Sequence, residues 1–166
     1  MGNGCMKRNE NVYFRARKEA ARYNEKLSSR EGAAELLGLS TSTLADYELG
    51  ITKVVPVDKV MLMADLYNCP ELKTGYCKYE CPIGREMPIA TRVGGVEGIA
   101  LRMLRELDPD RIKEIEKQFI EIASDGEISP DERPQMEGIM AQLDQVTVVI
   151  GEMRLAAEKA LREEKR

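Results

Sequence analysis

The sequence predicts an all-α fold in two helical parts, and three observations carry that prediction. Residues 29–50, SREGAAELLGLSTSTLADYELG, hold two short amphipathic helical patterns broken at Gly38. Between residues 96 and 122, apolar positions recur at helical spacing. From Met136 to Ala160 they step by three and four without interruption.

A polar tail at residues 1–10, expected to be flexible, precedes a helical domain over residues 11–68. The opening Met1-Gly2-Asn3-Gly4-Cys5-Met6 lacks the Ser or Thr that acylation needs at position six, and no apolar signal region follows. No run of about eighteen apolar residues supplies a membrane span. The expected location is cytoplasmic, with no membrane partner.

In the first pattern of residues 29–50, Ala33, Ala34 and Leu37 share a face, and Gly38 gives the backbone freedom a tight inter-helix turn requires. Leu39 plugs the turn, and Ser40 caps the next helix by accepting an otherwise unpaired N–H. The second pattern buries Leu44 and Tyr47 and leaves Ser42, Thr43, Ala45 and Asp46 more outward. Two helices so joined fit a helix-turn-helix, whose second helix lies in the DNA major groove. Short polar side chains near its start reach base edges there, so Thr41, Ser42, Thr43 and Asp46 are the candidate base contacts. Taken alone, an Ala/Leu-rich pair around a glycine is ordinary core packing. The turn glycine, the hydroxyl-rich start and the aromatic-Glu end together select DNA binding.

These residues resemble the lambda-repressor-like (Xre-type) helix-turn-helix family of bacterial and phage transcription regulators. The likeness runs through Ala33-Ala34, Gly38, Leu39-Ser40, Thr41 to Asp46, Tyr47-Glu48 and Gly50. It continues less specifically through VDKVMLMADLYN, residues 57–68, and covers roughly the first seventy residues. The resemblance implies a five-helix lambda-repressor-like DNA-binding domain, followed here by a C-terminal helical hairpin or coiled-coil region. In the family the first residue of the earlier helix, usually Gln, touches a phosphate; Arg30 stands there, and Ala33 replaces a usual Leu. Ser29, Arg30, Ser40, Lys53 and Arg17 are the candidate phosphate contacts.

Charge is distributed unevenly. The chain carries 25 basic and 29 acidic residues, a net of −4. Residues 7–30 hold eight bases (Lys7, Arg8, Arg15, Arg17, Lys18, Arg22, Lys26, Arg30) against three acids, whereas residues 89–166 hold twelve against seventeen. One positive face can then meet phosphates while the acidic remainder limits non-specific adhesion. There is no histidine, so no Ser-His or Cys-His pair exists, and no other catalytic constellation stands out. The chain reads as a non-enzyme without a cofactor.

Residues 69–92 read as a connector, because Pro70, Gly75, Pro82, Gly84 and Pro88 punctuate it. It contains Cys69, Cys77 and Cys81. A metal or redox site on these thiols, completed by Cys5 or a partner subunit, is the minor reading, since the Cys-x-x-Cys pair is missing. Cys77 and Cys81 would share a face if one helical turn joined them. Reduced thiols packing the connector are the preferred reading.

Residues 93–166 form the helical dimerisation or effector region. Val96, Ala100, Met103 and Leu107 make one stripe, ended by Asp108 and Pro109, which cap and begin the next helix. Ile112, Ile115, Phe119 and Ile122 make the second, stopped at Ser124-Asp125-Gly126. Residues 125–132 look like the second half of an EF-hand calcium loop, but Glu121 and Ala123 fall at its first and third ligand positions. A capping box on Ser129 and Glu132, with Pro130 opening the helix, explains the same residues with fewer demands. The last pattern defines a seam of Ile139, Leu143, Val146, Ile150 and Met153. Its partner is either the preceding helices of the chain or the same helix of a second subunit. The homodimer is favoured, because operators of this class are commonly paired half-sites.

The expected function is sequence-specific binding of double-stranded DNA as a transcriptional regulator, most often a repressor, by dimeric operator occupancy. A protein-interaction adaptor with a degenerate helix-turn-helix, or a thiol-based metal or redox sensor, are the alternatives.

Overall fold

Local chemistry sets where several of the helices begin. In the computed structural model, which describes residues 11–163, Asn11, Ser29, Ser40 and Asp108 each accept a backbone N–H from the first turn that follows them. The helices are α1 (Val12–Ala20), α2 (Arg30–Leu37), α3 (Thr41–Glu48), α4 (Val57–Leu66), α5 (Glu71–Tyr79), α6 (Pro82–Arg85), α7 (Val96–Glu106), α8 (Pro109–Ile122) and α9 (Arg133–Glu163). A 3-10 turn at Glu25–Ser28 joins α1 to α2. Among the described residues there is no strand and no helix long and apolar enough to cross a membrane. The tail at residues 1–10, with Cys5, Lys7 and Arg8, lies outside the described residues.

The first core gathers Leu27, Ala33, Ala34, Leu37, Leu44, Val60, Met63 and Leu72, among others, from α1 to α5. Small side chains at 33 and 34 let α2 settle closely on α3 and α4. Gly32, the residue just before them, is needed for space: a Cβ there would stand 2.2 Å from the Lys26 carbonyl oxygen. Gly75, mid-α5, has nothing within 4 Å of where its Cβ would be. Gly32→Ala is therefore expected to lower stability by about 1–3 kcal/mol through overpacking. Gly75→Ala is expected to raise it by about 0.5–1 kcal/mol through helix propensity. Opposite shifts in thermal melting would check the pair.

The connector expected over residues 69–92 is instead largely helical, and Leu72 belongs to the first core, so that core extends beyond residue 68. Pro70 does not break α5, because it stands at the cap, where a missing N–H costs nothing. Gly84 is likewise a packing position rather than a breaker: a Cβ would stand 2.0 Å from the Cys77 carbonyl oxygen.

The second part departs from its expected register. On α7 the buried positions are Ile99 and Glu106, while Val96 is 71% exposed and Ala100 is exposed. Arg102, not a seam apolar residue, ties α7 to α9 by donating to Glu152 at 2.6 and 3.0 Å. Ile115 and Ile122 of α8 are buried with Ile139 in a small second core.

Along α9 the expected seam is not buried as one stripe within the chain. Ile139 is buried inside the chain, Val146 is half-buried, and Leu143, Ile150 and Met153 are exposed; Val149 and Leu155 are buried instead. The reason is a change of neighbour. Ile139 packs with α8, Gly151 sits where a Cβ would meet Ala90 at 2.9 Å, and Lys159 accepts from Asn68 Nδ2 through its carbonyl at 3.2 Å. Each neighbour faces a different side of the helix, so Val149 stands about 80° around from Ile139.

The end of α9 thus returns to the N-terminal unit. Lys73 pairs with Glu158 at 2.9 Å, and Arg162 bridges Asp65 and Glu158 at 2.7 and 2.8 Å. The residue that receives it, Asn68, has a positive φ of 51°, the left-handed conformation asparagine tolerates at a helix end.

Candidate nucleic-acid interface

The α2–α3 pair is built from its turn outward. Gly38 takes φ 62° and ψ 38°, and the Leu39 N–H closes on the Ala34 carbonyl at 2.9 Å. Ser40 Oγ then accepts the Thr43 N–H at 3.0 Å. The same oxygen lies 2.9 Å from Ser42 Oγ and 2.7 Å from Thr43 Oγ1. Three hydroxyls are therefore held in one small network at the exposed start of α3. Each hydroxyl carries one donor and two acceptor sites, so holding one another does not exhaust them. Thr41 and Ser42 are exposed, and Thr43 and Asp46 are half-buried.

The other end of α3 is locked. Glu48, whose carboxylate is 0% exposed, accepts from Arg17 Nε at 2.5 Å and Nη2 at 3.0 Å, and from Arg30 Nε at 2.7 Å. Arg17 Nη1 donates to the carbonyls of Leu27 and Ser28 at 2.9 and 3.2 Å, and the guanidinium lies 5.5 Å from the Phe14 ring centre. One carboxylate thereby joins α1, α2 and α3. Burial pushes the Glu48 carboxyl up, but hydrogen bonds and charges from Arg17 and Arg30 outweigh it and hold the group below its ordinary value. The bond to Glu48 in turn raises Arg17 above the usual guanidinium value, despite burial.

This arrangement corrects one expected phosphate contact. Arg17 is 2% exposed and hydrogen-bonded through every guanidinium nitrogen, so it is a structural cation that a phosphate does not reach. Arg30 is different: its side chain is 34% exposed and it contributes only Nε to Glu48. Ser29 is exposed while its hydroxyl accepts the Gly32 N–H at 3.1 Å. Ser40 and Lys53 are exposed, as are Arg15, Lys18, Arg22 and Lys26. Glu48 was visible in the sequence only as half of the Tyr47-Glu48 pair. Its partner Arg17 lies 31 residues away, and no local pattern joins them.

The thiols do not assemble. Among the described residues no group of three or more His, Cys, Asp or Glu is placed to hold a metal ion. Helix α5 ends at Tyr79, and Cys81 caps α6, so no continuous helical turn joins Cys77 to Cys81. Burial, then the nearby Glu71 carboxylate, pushes the Cys69 thiol up to about 12, which disfavours a thiolate ligand or nucleophile. At the EF-hand-like segment, Glu132 Oε2 accepts from the Ser129 N–H and hydroxyl at 2.8 and 2.6 Å, as a capping interaction does, although α9 begins only at Arg133.

No protein-family model matches the chain, and no curated protein or solved structure matches it either.

Proposed function

We propose that the chain binds duplex DNA sequence-specifically as a lambda-repressor-like (Xre-type) transcriptional regulator, acting as a repressor by occupying an operator as a homodimer. The observation that carries this reading is the asymmetry of α3. Its hydroxyl-bearing first turn is exposed, while its last turn is fixed by a buried carboxylate between two arginines. A short polar tip on a rigid base is what major-groove reading requires. Arg30 and Lys53 position the phosphates, and Thr41, Ser42, Thr43 and Asp46 face the bases.

Dimerisation is supported by the incompleteness of the second core. Ile112, Ile115, Phe119, Met136, Ile139 and Leu143 border an apolar cavity of about 240 Å³, in which Phe119 and Leu143 remain 46% and 41% exposed. The α8–α9 hairpin of a second copy completes that core as a four-helix arrangement.

Selection of bound fragments from a random duplex pool, followed by titration at several salt concentrations, tests the function. Affinity is expected to fall steeply as salt rises, because phosphate binding releases counterions. Lys53→Ala should weaken all sequences roughly alike and flatten the salt slope by about one, whereas Thr43→Ala should change which sequences are preferred. A salt-insensitive interaction with no sequence preference would reject DNA reading and favour a protein adaptor.

A further inference from the structure

A groove of about 780 Å³ opens between α1, the loop after α3, α5 and residues 91–93. That volume lies within the range of about 300–1,000 Å³ typical of small-molecule sites. Four of the six tyrosines line it: Tyr13, Tyr47, Tyr76 and Tyr79. Glu71 and Glu80 line it as well and are half-buried, whereas its bases, Arg15, Lys53 and Arg92, are exposed at the rim. The interior is therefore aromatic and acidic.

Its negative charge is poorly compensated. Among the described residues the Glu80 carboxylate makes no hydrogen bond or ion pair. For Glu71, Lys159 Nζ stands 4.0 Å from Oε1, and Oε2 is buried without a hydrogen-bond partner among the described residues. Two neutral groups in the groove are raised first by burial and then by a neighbouring carboxylate each. Burial, then the charge of Glu80, pushes the Tyr13 phenol up to about 12. Glu71 adds to burial in raising the Cys69 thiol, against an opposing pull from Lys159. Carboxylates set among aromatic faces attract a cation both by charge and by the ring quadrupole.

We infer that this groove binds a small organic ammonium ion carrying a flat apolar body, with the ammonium held by Glu80 and the tyrosine rings. The wall includes Tyr47, Gly50, Thr52 and Lys53, and Asn11 Nδ2 donates to the Tyr47 carbonyl at 2.8 Å. A ligand there touches the end of α3 and the loop after it. Resting on the DNA-binding reading, such a ligand is the regulator's effector.

The test is calorimetric titration of the full chain, without DNA, using phenethylammonium and its similarly sized anionic counterpart 3-phenylpropionate. Because three exposed bases stand on the rim, the anion is the decisive comparison. Phenethylammonium is expected to bind one saturable site, with the anion at least about tenfold weaker. Glu80→Gln should lower ammonium affinity about tenfold, and Tyr79→Ala, at an exposed ring, about threefold. No saturable ammonium binding, an anion that binds as tightly, or an unchanged affinity in Glu80→Gln would overturn the site, provided thermal melts show the variant folded. Ammonium binding by a chain that binds no duplex upholds the site and removes the regulatory reading. Duplex binding without ammonium binding removes the site alone.

Discussion

Glu48→Ala is expected to be the most damaging single substitution on the N-terminal unit. It leaves the Arg17 guanidinium, 3% exposed along its side chain, buried among carbonyls without its counterion. Removing one member of a buried ion pair typically costs about 3–5 kcal/mol. In a chain of this size that lowers the melting temperature by roughly 6–20 °C. The duplex-binding titration should fail in parallel, because the last turn of α3 loses its anchor to α1 and α2. Glu48 also sets an acid-side dependence. Its folded-state value is depressed, so its contribution is complete above the unfolded value and is lost as pH falls through the folded one. Melting followed from neutral pH downward should steepen below about pH 4.5 in the native chain. Glu48→Gln should start lower and show a shallower acid slope. Equal stability of the native chain and Glu48→Ala at neutral pH would refute the clamp.

Phe119→Glu is expected to leave the monomer folded and to prevent the proposed dimer. The ring is half-exposed at the apolar cavity, so a carboxylate there meets water in one subunit and an apolar partner when two subunits pair. Sedimentation equilibrium should report a dimer for the native chain and a monomer for the variant. On a duplex with two half-sites the variant should bind about 100-fold more weakly, because the second binding event is no longer intramolecular. On a single half-site the per-subunit affinity should be unchanged. A native chain that sediments as a monomer at high concentration would remove the dimer from the proposal without touching the α3 surface.

The parts of this molecule that were legible in the sequence are those that depend on neighbours a few residues away. Ser40, Asp108 and Gly38 occupy the cap and turn positions their chemistry predicts, because the groups they satisfy lie within one turn. Long-range partnerships left no such mark. Arg17 had the type of a phosphate ligand, and only the distant carboxylate of Glu48 turns it inward. Helix α5 contradicts its own Pro and Gly signals because Pro70 stands at its cap and Leu72 is buried in the first core. On α9 the three-four repeat is real, but a regular stripe describes burial only when one neighbour runs alongside for the whole length. Here α8, then α7 with residue 90, then the N-terminal unit succeed one another, and part of the stripe stays exposed. The aromatic-acidic groove was equally hidden, since α1, α5 and residues 91–93 are far apart in sequence.

The 31 residues of α9 run unbroken for about 46 Å, gripped near one end by α8 and near the other by the ionic joint at Asp65 and Lys73. Such a rod transmits twist as well as distance. Inserting a single residue midway would turn one grip against the other by about 100°. In the proposed dimer, the spacing and phase of the two reading heads would therefore be set by helical pitch along α9.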